Sequence, residues 1–362
     1  MTGVPSPQAV EVAPGVWTPT AVDLFAGAGG ATQGLRDAGY DVVAAVENEP
    51  DAAETWRLNH PGVMIQADIR RVEPARVLSV AGLRGRAVDL LKACPPCQGF
   101  SSLRGAAQPD AVRNDLVLDT LRFVDGLSPA AVLLENVPGL RRDSRFPKLA
   151  RALRDRGYEL RDYEVEASLL GVPQRRRRLV VVAAKAARAL PADVGEIARV
   201  SGLGGRTTAG AALAVLECQL QPGDVWHRWR RSSSAVAARI AAVPVGGNRF
   251  DLPLKHRLDC HERLVTADGV VRRAATGSYG RVRGDAPSPT MTTRCTTASC
   301  GSFIHPTENR GLSLREAASL QTFPHDYRWY GGYDSVERQI GNAVPVRMAE
   351  ALGLVVRDLL HA

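Results

Sequence analysis

The chain has 362 residues, with 46 Lys or Arg against 38 Asp or Glu and a net charge of +8. That length suffices for two domains with separate cores, and no apolar run approaches the ~20 residues that a membrane-spanning helix requires. Six cysteines without disulfide-like density, and no secretory start, fit a reducing, cytoplasmic setting in which a free thiol survives.

Residues 1–19 read as a loosely ordered arm. The first predicted strand, Thr20 to Phe25, runs into Ala26-Gly27-Ala28-Gly29-Gly30 and a helix from Ala31 to Ala38. Glycines at a strand-to-helix turn let a ligand approach the backbone, and the helix amino terminus favours an electron-rich group, although an ordinary glycine-rich turn has the same composition. A second strand, Asp41 to Val46, ends in Glu47, a carboxylate placed to accept both hydroxyls of a ribose. After a helix around 52–59, a third strand, Val63 to Gln66, ends in Ala67-Asp68-Ile69, where Asp68 can take an adenine amino group. Three successive strand ends with groups suited to a nucleoside are harder to explain by packing than any one of them.

The fourth strand, Ala87 to Leu91, delivers Ala93-Cys94-Pro95-Pro96-Cys97-Gln98-Gly99-Phe100-Ser101. Consecutive prolines fix φ and remove backbone donors, so Cys97 is expected on a stiff turn at the edge where open α/β sheets do chemistry. Taken alone, Cys94-x-x-Cys97 is also compatible with half a metal site, a redox pair or a buried structural thiol. An amphipathic helix is predicted from Asn114 to Val124, and a fifth strand, Ala130 to Leu134, runs into Glu135-Asn136-Val137. A carboxylate directly after five apolar residues belongs at the same rim as Cys97, and burial there raises its pKa, which suits a proton donor.

A basic helix around 146–156 precedes two strands, Glu159 to Glu166 and Arg178 to Ala183, too close together for a crossover helix and therefore an antiparallel edge hairpin. Their link, Gly171 to Arg178, carries four arginines, alternate ones expected to point inward. From about Ala186 the alternation of strand and helix gives way to short irregular segments through Cys300. Between Ser201 and Arg294 there are 14 Lys or Arg against 7 Asp or Glu, the balance of a polyanion-binding module or of a solvated face. Trp226 and Trp229 among arginines fit nucleic-acid contact or local core equally, and the spacing of Cys260-His261 and Cys295-x4-Cys300 is unusual for zinc, so no metal is expected. Ser313 and Glu316 form a capping box that starts a helix, and an apolar helix, Val346 to Leu360, should cover the sheet beside the first strand.

Jointly these residues resemble the DNA (cytosine-5)-methyltransferase family. Asp23-Leu24-Phe25-Ala26-Gly27-Ala28-Gly29-Gly30 is similar to its first motif, Pro95-Pro96-Cys97-Gln98-Gly99-Phe100-Ser101 to its nucleophile motif and Glu135-Asn136-Val137 to its acid motif. Gln174-Arg175-Arg176-Arg177-Arg178 fits Gln-x-Arg-x-Arg, and Gln339 to Val344 fits the last motif. Ala93-Cys94 stands where a glycine pair is commoner, and Arg175 where the motif accepts any residue.

The resemblance implies a Rossmann-like α/β methyltransferase fold, its mixed sheet edged by an antiparallel hairpin, with a smaller loop-rich target-recognition domain. The expected division is an arm at 1–19, a catalytic cofactor-binding domain at 20–188 and 334–362, and a target-recognition domain at 189–333. It implies methyl transfer from S-adenosylmethionine to C5 of cytosine in a short sequence of double-stranded DNA, with Cys97, Glu135, Arg176 and Arg178 catalytic. The cofactor would lie across Phe25, Ala26, Gly27, Gly29, Gly30, Glu47, Asn48, Asp68, Ile69, Pro95, Leu116, Asn342 and Val344. Gln98, Ser101, Ser102 and Arg104 are expected to close over a flipped base, and Arg228, Arg230, Arg272, Arg273, Arg281 and Arg283 form a pool for reading bases or gripping phosphates. The enzyme is expected to act as a monomer in a bacterial cytoplasm, at the nucleoid and away from membranes, alone or paired with a restriction endonuclease. An RNA-modifying relative and a catalytically silent DNA-binding regulator are the rival readings.

Overall fold

The computed structural model describes residues 17–83, 87–96, 115–185, 189–259 and 277–361. The strands are β1 (Thr20–Leu24), β2 (Asp41–Glu47), β3 (Val63–Gln66), β4 (Leu90–Ala93), β5 (Ala131–Asn136), β6 (Glu159–Glu166) and β7 (Arg177–Ala184). They form one seven-stranded sheet in the order β3-β2-β1-β4-β5-β7-β6. The first five pair in parallel, and β7 runs antiparallel to both β5 and β6, which is the expected edge hairpin. Every residue of β1, β4 and β5 is buried, as befits central parallel strands covered on both faces. Thr20, Asp23, Lys92, Glu135 and Asn136 are therefore polar exceptions inside an apolar layer.

Helices α1 (Gly30–Asp37), α2 (Pro50–Asn59), α3 (Pro74–Val80), α4 (Leu116–Leu127) and α5 (Arg145–Asp155) alternate with the strands; α6 (Val194–Ser201), α7 (Ala209–Gln219) and α8 (Ser234–Ala242) follow, then α9 (Leu314–Leu320), α10 (Tyr333–Asn342) and α11 (Val346–Leu360). Alternate residues of each strand feed opposite cores. Val132 and Leu134 pack with Phe123, Leu127 and Leu149 of α4 and α5. Leu133 and Val180 pack with Leu35, Ile197, Met348, Leu352 and Val356 of α1, α6 and α11. The last helix thus covers the face beside β1, as expected. Gly34 allows this close approach, since a Cβ there would lie 2.2 Å from the Val346 carbonyl oxygen. Arg357 Nη1 donates to the Ala38 carbonyl at 2.6 Å, and Tyr40 Oη donates to that of Gly353 at 3.1 Å.

Four expectations need correction. The fourth strand is Leu90–Ala93 rather than Ala87 to Leu91, which puts Lys92 inside it. Phe25 leaves the strand with φ at +56°, so β1 stops at Leu24. Strand β5 runs through Asn136, which makes Glu135 part of the strand rather than of the loop after it. Between 189 and 300 the chain holds α6, α7 and α8, not only irregular segments. Alanine has the strongest helix propensity, and Thr208 Oγ1 caps α7 by accepting from Ala211 N; the surrounding glycine and arginine mask that signal in composition. The capping box at Ser313 is present, with Glu316 Oε2 accepting from Ser313 N at 2.7 Å and Ser313 Oγ accepting from Glu316 N at 3.1 Å.

Candidate active site

The parallel strands β1, β2, β3 and β4 end along one rim, the position at which open α/β sheets bind ligands. The turn after β1 is built from left-handed backbone, with φ at +56° for both Phe25 and Gly27 and +92° for Gly29. Gly29 has no substitute: a Cβ would meet His60 Nε2 at 2.4 Å and Tyr327 Oη at 2.8 Å. Those two groups hold the turn from below, since Tyr327 Oη donates to the Ala28 carbonyl at 2.6 Å and lies 2.9 Å from His60 Nε2. Burial pulls the His60 pKa down to about 3, so the ring is neutral under the turn.

Glu47 Oε2 accepts from Gly27 N at 2.7 Å, and Oε1 accepts from the N–H groups of Asn48 and Glu49 at 2.8 Å each. Burial outweighs the backbone bonds and raises its carboxyl above the ordinary value. Asp68 accepts from Arg70 Nε at 3.0 Å, and its side-chain bonds to Arg70 are the largest reason its pKa falls to about 2. Ile69 is buried behind it. Val344 packs with Ala31 and Cys94, which brings the segment after α10 onto α1 and the end of β4. Asn342 is exposed at the end of α10, and Leu116 is half-buried at the start of α4.

At the adjoining rim, Arg178 Nε lies 2.8 Å from Glu135 Oε1, with the two side chains 15% and 6% exposed. Cys94 Sγ donates to the other oxygen, Oε2, at 2.9 Å. Asn136 Nδ2 donates to the Pro95 carbonyl at 3.0 Å, so β5 anchors the turn that leads toward residue 97. Cys97, Gln98, Ser101, Ser102 and Arg104 lie outside the described residues, as do Arg272 and Arg273. Arg176 is buried and donates to the carbonyls of Met291 and Gly341 at 3.2 and 3.4 Å. Gln174 donates to the Leu320 carbonyl and to Gln321 Oε1 and accepts from Met291 N. The arginine-rich link is therefore a strut that joins the sheet to 291–342 as well as the source of Arg178.

Lys92, which sequence reasoning did not single out, is buried in mid-strand with its Nζ 2.8 Å from Asp23 Oδ1. The available signal was a lysine inside an apolar run that both faces of the sheet cover.

A family model for C-5 cytosine-specific DNA methylase matches residues 20–201 and 230–357. The chain belongs to this family. Among curated relatives, the type II methylase M.HgiDII of Herpetosiphon aurantiacus is 30% identical over 351 residues, covering 94% of this chain and 95% of its own. Type II methyltransferase M.PspPI of a Psychrobacter species is 32% identical, covering 94% of this chain and 79% of its own. Among solved structures, a DNA modification methyltransferase encoded within an E. coli prophage superposes with a TM-score of 0.65 at 23% identity, over 95% of this chain and all of its own. The S. pombe Dnmt2 methyltransferase gives 0.64 at 17%, over 95% and 98%. The chain is thus a DNA (cytosine-5)-methyltransferase on an α/β methyltransferase fold, and no helix among its described residues is long and apolar enough to cross a membrane.

Within this methylase the expected pool of DNA-facing arginines divides. Arg281 is a correction: it is buried, and its guanidinium donates to the carbonyls of Ile240, Val243, His305 and Glu308 and to Asn309 Oδ1. All its donor positions face protein, which removes it from base reading. Arg230 bonds Asp334 and the buried Glu337 and lies over the Tyr333 ring, so it too is an internal tie. Arg228 is exposed and stacked over Trp226 and Tyr333, and Arg283 is exposed with Asp285 as its partner. Trp226 packs against the core around α9 and α10; Trp229 is 43% exposed beneath the Arg310 guanidinium.

Proposed function

We propose that this methylase transfers a methyl group from S-adenosylmethionine to C5 of a cytosine within a short sequence of double-stranded DNA, by covalent addition of Cys97 to C6 of a flipped-out base. The observation that carries the reading is the buried Glu135–Arg178 pair at the rim, beside the strand end from which the chain proceeds to Cys97. A carboxyl group and a guanidinium side by side match the N3 and O2 edge of cytosine.

The residues at the first rim fit S-adenosylmethionine. A Cβ added at Gly27 would meet no atom within 4 Å, so the turn opens onto free space next to the Glu47 carboxylate. Phe25, Ala26, Gly27, Gly29 and Gly30 would hold the cofactor with Glu47, Asn48, Asp68, Ile69, Pro95, Leu116, Asn342 and Val344. Bound there, it supplies an electrophilic methyl group.

Cytosine C5 is a poor nucleophile, and addition of the Cys97 thiolate at C6 converts the ring into an enamine. Charge then develops on the ring; Glu135 protonates or hydrogen-bonds N3, while Arg178 and Arg176 hold O2 and the adjoining backbone. Donors aimed in this way contribute roughly 10²-fold or more each. Once C5 has taken the methyl group, loss of the C5 proton and departure of the thiolate from C6 restore the ring and release Cys97. The C6 face is closed inside a duplex, so the base must leave the stack at a cost of a few kcal/mol, offset by phosphate contacts and pocket bonds. The target-recognition module would lie within 189–333, and the enzyme would act as a monomer, alone or beside a restriction endonuclease.

The test is bisulfite sequencing of DNA from a methylation-free host that expresses the chain or its Cys97→Ser variant. A short motif methylated only by the intact protein is the expected result. Unmethylated DNA from soluble, cofactor-binding protein would overturn the reading, and transfer to tRNA would then identify an RNA enzyme.

A further inference from the structure

One face of the sheet carries charges of alternating sign on four adjacent strands: Asp23 on β1, Lys92 on β4, Glu135 on β5 and Arg178 on β7. Asp23 and Lys92 are register partners, and their ion pair is 4% exposed on the lysine side and fully covered on the aspartate side. Asp23 Oδ2 also accepts from Thr32 Oγ1 at 2.7 Å, and that hydroxyl accepts from Trp56 Nε1 at 2.8 Å. The row is thereby fixed to α1 and α2 at one end. At the other end Arg178 holds Glu135 Oε1 at 2.8 Å.

Cys94 joins the two halves. It follows Lys92 by two residues and so shares its face, and its N–H continues the β1–β4 ladder by donating to the Leu24 carbonyl at 3.2 Å. Its Sγ donates to Glu135 Oε2 at 2.9 Å. A carboxylate held on one oxygen by a guanidinium can still swing its second oxygen; a donor on that oxygen stops the swing. A thiol is a weak donor, so the group fixes direction without blocking the exchange of its bond for one to an incoming base.

We propose that Cys94 is a positioning residue for the methyl-transfer reaction, its thiol holding Glu135 Oε2 while Arg178 holds Oε1. The inference rests on Glu135 as the acid of the proposed function. Among the described residues, the charged and titratable groups facing this carboxylate include Arg178 from β7 and Cys94 and Lys92 from β4, with Asp23 of β1 behind Lys92. Burial pulls the Lys92 pKa down, but Asp23, Cys94 and Glu135 more than offset it and hold the ammonium above its ordinary value, so the row keeps its alternating sign.

The test is single-turnover methyl transfer against pH for Cys94→Ala, Cys94→Ser and Glu135→Gln, with cofactor affinity measured by titration. Cys94→Ala is expected to slow the step about threefold to tenfold, the range of one lost hydrogen bond, with unchanged cofactor affinity. Its pH profile should change along with the rate, because the lost bond is to the group that serves the base at N3. Serine restores a donor and should recover most of the rate, and Cys94→Ala should add nothing in the Glu135→Gln background. A wild-type rate and pH profile in Cys94→Ala, while Glu135→Gln is slow, would reduce Cys94 to packing and overturn the inference alone. Loss of cofactor affinity in step with the rate would assign it to the cofactor pocket and also overturn it. A full rate in Glu135→Gln would instead remove the underlying reading.

Discussion

In β1, β4, β5 and β7 the backbone is satisfied by the sheet ladder, and the charges on these strands meet one another. Between residues 202 and 312, where the described chain forms no strand, arginine side chains take the place of the ladder. Arg281 gathers carbonyls from four residues, Arg257 donates to Phe250 and Leu252, and Arg239 donates to His256. A planar fork with five donors does this and a lysine does not. A count of basic residues therefore overstates the charge that this region offers to DNA, whereas in the sheet a single buried lysine marks a fixed relation to the site.

The comparison breaks most visibly at Lys92. Replacing it by methionine leaves Asp23 buried without its cation, and the expected loss is about 3–5 kcal/mol of unfolding free energy, read by urea denaturation; a stable variant would mean that the row is not held by its charges. Next in size, Arg178→Ala should lower single-turnover methyl transfer by roughly 10²–10³-fold while cofactor titration stays unchanged. Arg281→Met should cost about 1–3 kcal/mol of stability, the penalty of unpaired buried groups, and leave the salt dependence of DNA binding as it was.

A smaller effect is expected from pH. The buried His60 has its pKa lowered from 6.5 to about 3, so the unfolded chain binds more protons between those values. Its stabilisation is complete above pH 6.5 and declines as pH falls through the window, by up to about 1.4 kcal/mol per pH unit. His60→Gln should show a shallower decline when denaturation midpoints are compared at pH 7 and 5.5. Last, Arg283→Ala should leave the denaturation midpoint in place but reduce the salt slope of DNA binding by about one; an unchanged slope would place that arginine away from phosphate.

The succession of strands along the chain, the edge hairpin, the covering helix and the position of Phe25 to Asp68 at strand ends were legible in the sequence, because period, strand ends and caps are local signals. Motif similarity named Glu135 and Arg178 for one site, but their ion pair at 2.8 Å was not read from the sequence. What stayed hidden is what only three-dimensional adjacency creates. Arg230 and Arg281 look like the other arginines of their region until Glu337 and the four carbonyls arrive from distant segments. Cys94 looked like a departure from a glycine pair, and its carboxylate partner lies 41 residues away.

The docking of α11 on α1 has a temporal side. Residue 17 and residue 361 meet, with the rings of Trp17 and His361 5.5 Å apart, and Tyr40 reaches the Gly353 carbonyl across 313 residues of sequence, so β1 is covered only after a long loop has closed. Gly341 and Val344, which bear on Arg176 and on the turn after β1, are equally distant in sequence from β1 and α1. Without the segment around Gly341 and Val344, the strands that carry Cys94 and Glu135 would keep their ladder but lose the cover over the turn after β1 and a carbonyl partner of Arg176. Covering the rim is thereby left to contacts between segments far apart in the chain, and the slowest folding steps are expected there.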